Sequence, residues 1–154
     1  MTFEEILKPE GIRIISGCSS KKRLLQNVAE FASSLLHIES PVIFSALLER
    51  ENLGPTGVGH GVALPHARLS GIQTVQGAFL LLDKPVPYDA VDKMPVDLVF
   101  ALFAPEDAGV QHLKALALVS RTLRQADVCA KLRANPEPST LYALLSNTMS
   151  SEAA

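Results

Sequence analysis

Cysteine is scarce in this chain. Cys18 and Cys129 are the only two in 154 residues, and they stand far apart at no metal-ligand or redox spacing. That excludes a disulfide framework, and both read as small structural hydrophobes. Positive charge is also lacking: the formal net charge is −2 and the sequence pI about 6.1. A nucleic-acid binder needs a basic face to neutralise phosphates, so nucleic acid is not an expected partner. No apolar run approaches the roughly 20 residues that span a bilayer, and the opening Met1-Thr2-Phe3-Glu4-Glu5 is acidic where a secretory signal is basic. The expectation is a cytoplasmic protein without membrane insertion. Repeats and linkers are absent too, and 47% apolar with 19% charged residues is an ordinary globular balance. We therefore expect one domain over residues 1–154, with 146–154 as a frayed tail.

The patterning that is present alternates between helix and strand. Thr2 and Glu5 have the spacing of a capping box for a short helix that Pro9 and Gly11 end. Ile12, Ile14 and Ile15 suggest a first strand. From Ser20, the positions Leu24, Leu25, Val28, Phe31, Ala32, Leu35 and Leu36 recur at helical spacing, with Lys21, Lys22 and Arg23 as a solvated first turn. Ser40-Pro41 reads as N-cap and first helical residue of a second helix to about Glu51, with Ile43, Leu47 and Leu48 as its apolar face. Val62 to Leu64 and Val75 to Leu82 are strand-like, and Pro95 to Ala104 is apolar on both alternating faces, as a central strand covered on both sides would be. Leu113, Leu116, Ala117, Ser120 and Leu123 mark a further helix. Asp127 and Ser139 are candidate caps for two last ones, separated by Pro136 and Pro138. The fold class is α/β or layered α+β: a mixed β-sheet flanked by helices on both faces.

The segment with chemical content is Arg50 to Arg68. Gly54, Gly57, Gly59 and Gly61 fall within eight residues, which predicts an irregular loop able to turn backbone N–H groups toward an anion. The spacing is neither the Walker pattern nor the dinucleotide fingerprint, so a nucleotide site is disfavoured. Beyond the glycines stands Pro65-His66, where proline stiffens the backbone that presents the imidazole. A neutral imidazole near pH 7 carries a lone pair that can attack phosphorus, and the phosphohistidine formed needs donors already in place. His60 lies six residues before His66, but no Cys, Asp or Glu stands nearby at ligand spacing, so no metal is expected. His37 reads as structural.

The run Arg50-Glu51, then Gly54-Pro55-Thr56-Gly57-Val58-Gly59-His60-Gly61-Val62-Ala63-Leu64-Pro65-His66, resembles the active-histidine signature of the fructose, mannitol and nitrogen-regulatory IIA domains of the phosphotransferase system. The resemblance extends to Pro87 to Asp92, Pro95 to Leu102, and Gln111-His112-Leu113, so it covers nearly the whole chain. It implies the IIA mannitol/fructose-like fold. It also implies that His66 is the phosphorylated histidine, that His112 is its hydrogen-bonding companion and that Arg50 stabilises the charge, with Thr56, Gly57, Gly59 and Gly61 forming a phosphoryl-binding loop. Two positions depart from the family pattern: Pro55 stands where serine is common, and Ala67 where glycine is.

The function implied is a stoichiometric phosphocarrier, a phosphotransferase component without cofactor or metal. It would take a phosphoryl group from a histidine phosphocarrier protein and signal its state to regulatory protein targets. The resemblance is closest to the free-standing nitrogen-regulatory proteins; a sugar-specific IIA transport component is the near alternative. A non-phosphorylated interaction module and a histidine-dependent phosphohydrolase are alternatives of other classes. Val58, Val62 and Leu64, interleaved with the glycines, are expected to give the site an apolar rim suited to protein docking.

Overall fold

The computed structural model describes residues 1–153, and the side chains of 1–147. In chain order the elements are α1 (Phe3–Ile6), a 3-10 turn (Pro9–Gly11), β1 (Ile12–Ile15), α2 (Lys21–Leu36), α3 (Ser40–Asn52), β2 (Gly57–Gly59), β3 (Val62–Ala63), β4 (His66–Leu69), β5 (Gln76–Val86), β6 (Val96–Pro105), α4 (Gly109–Leu123), α5 (Ala126–Ala134) and α6 (Pro138–Ala153). The expected fraying of 146–154 falls largely on residues whose side chains lie outside those described.

The six strands form one mixed sheet in the order β1-β5-β6-β3-β2, with β4 also paired to β6. Strand β6 is central. It runs antiparallel to β5 and parallel to β3 and β4, while β1 is parallel to β5. Side chains alternate across the sheet. Phe79, Leu81, Leu98, Phe100 and Leu102 join the core under α1, α4, α5 and α6, and Ala78, Leu80, Val99, Ala101 and Phe103 join the core under α2 and α3. Helices cover both faces, as the double-sided apolar pattern of Pro95 to Ala104 required.

Ser20 caps α2, its hydroxyl accepting the Arg23 N–H at 3.1 Å, a bond worth about 1 kcal/mol. His37 ends the helix in the left-handed region at φ 59°, which gives this histidine a backbone role. Other caps differ from expectation. The Thr2 hydroxyl donates to the Glu5 carboxylate at 3.5 Å and caps no backbone N–H, so the capping box does not close. Ser40 lies inside α3, whose N-cap is Glu39. Gln125, not Asp127, caps α5. At α6 the capping group is the Glu137 carboxylate, which accepts the Ser139 and Thr140 N–H and hydroxyl groups; these bonds hold its pKa down to about 2.

Three further expectations are corrected. The glycine segment is a hairpin, because β2 pairs antiparallel with β3 across a bulge and the Gly61 carbonyl accepts the Asp97 and Leu98 N–H groups of β6. Gly59 and Gly61, at φ 102° and 80°, make the turn. Strand β4 was not legible because Pro65, with no N–H to donate, interrupts the edge along β6 and splits it into β3 and β4. Helix α4 buries His112, Ala115, Leu118, Val119, Thr122 and Leu123, whereas Leu113 is 66% exposed. Periodicity gave the helix but not the rotation that puts its face on the sheet.

Candidate functional site

Strand β4 begins at His66, whose backbone is in register with Leu102 of β6. The Pro65 carbonyl still accepts the Leu102 N–H at 3.0 Å, so the proline keeps one ladder bond at the residue before the histidine. The His66 ring is half-buried. Its Nδ1 lies 2.9 Å from the Leu64 carbonyl, and its Nε2 lies 3.1 Å from Arg50 Nε. A carbonyl can only accept and a guanidinium can only donate, so both contacts demand the same tautomer: proton on Nδ1, lone pair on Nε2.

Arg50 reaches this point from the last turn of α3. Its Nη1 donates to the Gly54 carbonyl at 2.9 Å, which anchors the guanidinium beside the imidazole. His112 approaches from the first turn of α4, its ring edge-on to His66 with centroids 5.5 Å apart. It is 5% exposed, and its buried Nε2 has no hydrogen-bond partner among the described residues. A buried donor or acceptor left unpaired costs about 1–3 kcal/mol, so a polar group that reaches this atom gains by pairing with it.

Burial lowers the His66 pKa below the ordinary 6.5; the Leu64 hydrogen bond opposes this, Arg50 adds to it, and Glu51 opposes it again. His112 is held down to about 4, by burial first and then by His66 and Arg68. Both imidazoles are therefore neutral at pH 7. The three side chains border a hollow of about 500 Å³ whose apolar wall is Leu53, Leu113 and Leu116. Leu53 is 84% exposed. Arg68 also lines the hollow and donates to the Glu106 carbonyl at 3.1 Å.

The structure thus brings His66, His112 and Arg50 to one place. It does not bring the expected phosphoryl-binding loop there. The Thr56 N–H and hydroxyl bond the Glu51 carboxylate instead. A Cβ on Gly57 would lie 2.7 Å from the Ala90 Cβ, and one on Gly61 would collide with the Arg133 guanidinium. These glycines serve close packing of the hairpin, away from the hollow. The expected rim is corrected as well, because Val62 and Leu64 are core residues and Val58, though 48% exposed, does not line the hollow. Neither departure from the family pattern disturbs the site: Pro55 is exposed, and Ala67 is buried in extended backbone that accepts a Cβ. Sequence reasoning gave Glu51 no part in holding the site together, although its signal was present. At the i+8 position after Ile43 and Leu47 it continues the buried stripe of α3 with a carboxylate.

Among the described residues no cluster of His, Cys, Asp and Glu could hold a metal ion, and no helix is long and apolar enough to cross a membrane. Residues 5–148 match the family described as phosphoenolpyruvate-dependent sugar phosphotransferase system, EIIA 2. A nitrogen regulatory protein of Bradyrhizobium diazoefficiens is 43% identical over 145 residues, 94% of this chain and 95% of its own. The crystal structure of the nitrogen regulatory protein IIA-Ntr from Neisseria meningitidis superposes with a TM-score of 0.86 at 33% identity, over 93% of this chain and 98% of that one. IIA mannitol from Escherichia coli shares the fold, with a TM-score of 0.75 at 19% identity over 90% and 97% of the two chains. An edge-strand histidine with its lone pair turned to an arginine and a buried second histidine is thus set in a chain that belongs to the EIIA 2 family of the phosphotransferase system, alongside its nitrogen-regulatory proteins.

Proposed function

We propose that the chain is a phosphocarrier that accepts a phosphoryl group on Nε2 of His66. The observation that carries this reading is the pair of hydrogen bonds fixing the imidazole with its lone pair at Nε2, beside Arg50 and the unpartnered Nε2 of His112. The donor is a phosphohistidine on another protein. As the new N–P bond forms at His66, the donor's N–P bond breaks and its electron pair returns to the donor imidazole. The transition state spreads charge over three equatorial oxygens, so positioned cations and donors do the stabilising. Arg50 Nε–H sits on the attacking lone pair and must release it, turning the guanidinium toward the incoming oxygens. His112 meets another oxygen with Nε2–H. Burial keeps it uncharged until an anion is beside it.

The exposed Leu53 and Leu113 at the hollow suit a protein partner, and Glu49, the carboxylate that also lines it, makes the stability of the phosphoryl group the point that separates a carrier from a hydrolase. A carrier's phosphoryl group must survive until the next protein docks. Relatives matched over nearly the full chain bear the nitrogen-regulatory name, which favours regulatory protein targets in the cytoplasm over a IIB sugar-transport partner.

Incubation with a phosphorylated histidine phosphocarrier tests the reading. Mass spectrometry is expected to find a stable, acid-labile phosphate on the peptide containing His66. Free phosphate would indicate a hydrolase instead, and absence of transfer an interaction module.

A further inference from the structure

Glu51 is buried, with its side chain only 4% exposed, and three chain segments converge on it. Lys21, the first residue of α2, places Nζ 2.9 Å from Oε2. Thr56 directs both its backbone N–H and its hydroxyl at the carboxylate. The Tyr88 hydroxyl, from the β5–β6 connection, donates to Oε1 at 3.0 Å, and burial pushes its pKa up so that it stays a donor. Lys21 Nζ also lies over the Tyr88 ring, 4.7 Å from its centroid. A buried, paired carboxylate roughly breaks even in stability against a well-packed apolar side chain, so stability alone does not account for it. What such a cluster supplies is geometry.

Two paths lead from this carboxylate to His66. Through Thr56, whose carbonyl accepts the Leu64 N–H at 2.9 Å, it fixes Leu64, and the Leu64 carbonyl in turn holds His66 Nδ1 at 2.9 Å. Through the chain itself, Glu51 anchors the end of α3 next to Arg50, which holds Nε2. We propose that the Lys21–Glu51–Thr56–Tyr88 cluster positions the phosphoryl acceptor, holding His66 in its Nδ1–H tautomer and Arg50 in line with Nε2. The claim deepens the phosphocarrier reading and rests on it for its consequence. The tautomer, however, is measurable without any transfer. Glu51 also bears on the nucleophile through its field, which opposes the lowering of the His66 pKa by burial and Arg50.

The test uses the full chain, with imidazole nitrogen chemical shifts of His66 read by NMR, phosphoryl uptake from a phosphorylated donor protein, and thermal unfolding. Wild type is expected to show a single Nδ1–H tautomer. Glu51→Gln is expected to mix the tautomers and slow uptake roughly 100-fold, the size of effect produced by an ångström-scale misplacement. Thr56→Val, which removes the hydroxyl, is expected to act in the same direction, while Thr56→Ser restores both the tautomer and the rate. Lower melting temperatures for Glu51→Gln and Thr56→Val, with tautomer and uptake unchanged, would overturn the proposal and leave a merely structural cluster. If Glu51→Gln does not fold, Thr56→Val and Tyr88→Phe decide the question by the same readouts. If wild type takes no phosphate, the tautomer data still decide on the positioning, and only the phosphocarrier reading falls.

Discussion

Two arginines of this molecule sit near histidines at opposite ends of the glycine hairpin, and they are used in opposite ways. Arg133 grips Asp97 with both Nε and Nη2, at 2.9 to 3.1 Å, and donates to the His60 carbonyl at 2.8 Å. His60 in turn gives its backbone N–H to Asp92. That corner is electrically closed. Arg50 has no ion pair to a carboxylate among the described residues; its partners are an imidazole lone pair and one carbonyl. The nearby His112 Nε2 has no hydrogen-bond partner among the described residues. A charged group satisfied by its counterion holds structure together, while one held in place by weaker acceptors stays free to meet an anion.

The comparison breaks most sharply at His66. His66→Ala is expected to abolish phosphate uptake while leaving the fold intact, because the half-buried ring contributes little packing and no other residue can replace its lone pair. Mass spectrometry and thermal unfolding of the same sample check both halves, and uptake at the wild-type rate would remove His66 from the chemistry. Arg50→Met comes next. It keeps the apolar stem and drops the donors, so uptake is expected to slow about 100-fold, the cost of losing a preorganised charge-stabilising donor. A rapid-quench time course with the phosphorylated donor measures it, and an unchanged rate would make Arg50 no different in kind from Arg133.

His112 sharpens the contrast in a different observable. His112→Ala is expected to slow transfer by one to two orders of magnitude, from the loss of a charge-assisted hydrogen bond worth roughly 1.5–3 kcal/mol. Its titration gives a second test. The folded-state pKa of about 4 lies below the ordinary 6.5, so between those values the unfolded chain binds the extra proton. The stability this contributes is full above pH 6.5 and is lost as the pH falls toward 4, and the lowered pKa of His66 acts with the same sign. Melting temperatures measured across that window are expected to fall more steeply for wild type than for His112→Gln. Parallel curves would mean that His112 is not held neutral by its setting.

How much of this was legible beforehand depends on the range of the physics involved. Helices α2 and α3 and the central strand follow from periodicity, and Pro65-His66 from local backbone stiffness, because each is decided within a few residues. The face of α4 is not. Leu113 and Leu116 have helical spacing, yet Leu113 is exposed at the hollow while Ala115, Leu118 and Val119 turn to the core, since the rotation is set by partners far away in sequence. The glycine segment misled for a similar reason: its density was read as an anion nest, while its close approaches are to Ala90, Asp92 and Arg133, all distant in the chain. The meeting of His66 with His112 was implied by family resemblance and not by spacing, because they stand 46 positions apart with two whole strands, β5 and β6, between them.

The smallest expected effect is at Arg133, and it is the control on which the comparison of the two corners depends. The Arg133 side chain is 37% exposed and that of Asp97 16%, so solvent screens the pair, although its two-pronged geometry is favourable. Arg133→Met is therefore expected to cost about 1 kcal/mol of stability, read as a lower denaturation midpoint at constant slope. Gly61 adds a reason for the loss to be local. Its conformation and its close approach to the guanidinium let the hairpin turn seat Arg133, so without the arginine the turn loses a contact but keeps the Gly61 carbonyl bonds to β6. Phosphate uptake is expected to be unchanged, because nothing in that corner lines the His66 hollow. A large loss of uptake with stability preserved would mean that the two corners communicate through the hairpin, and that the closed one also serves the reaction.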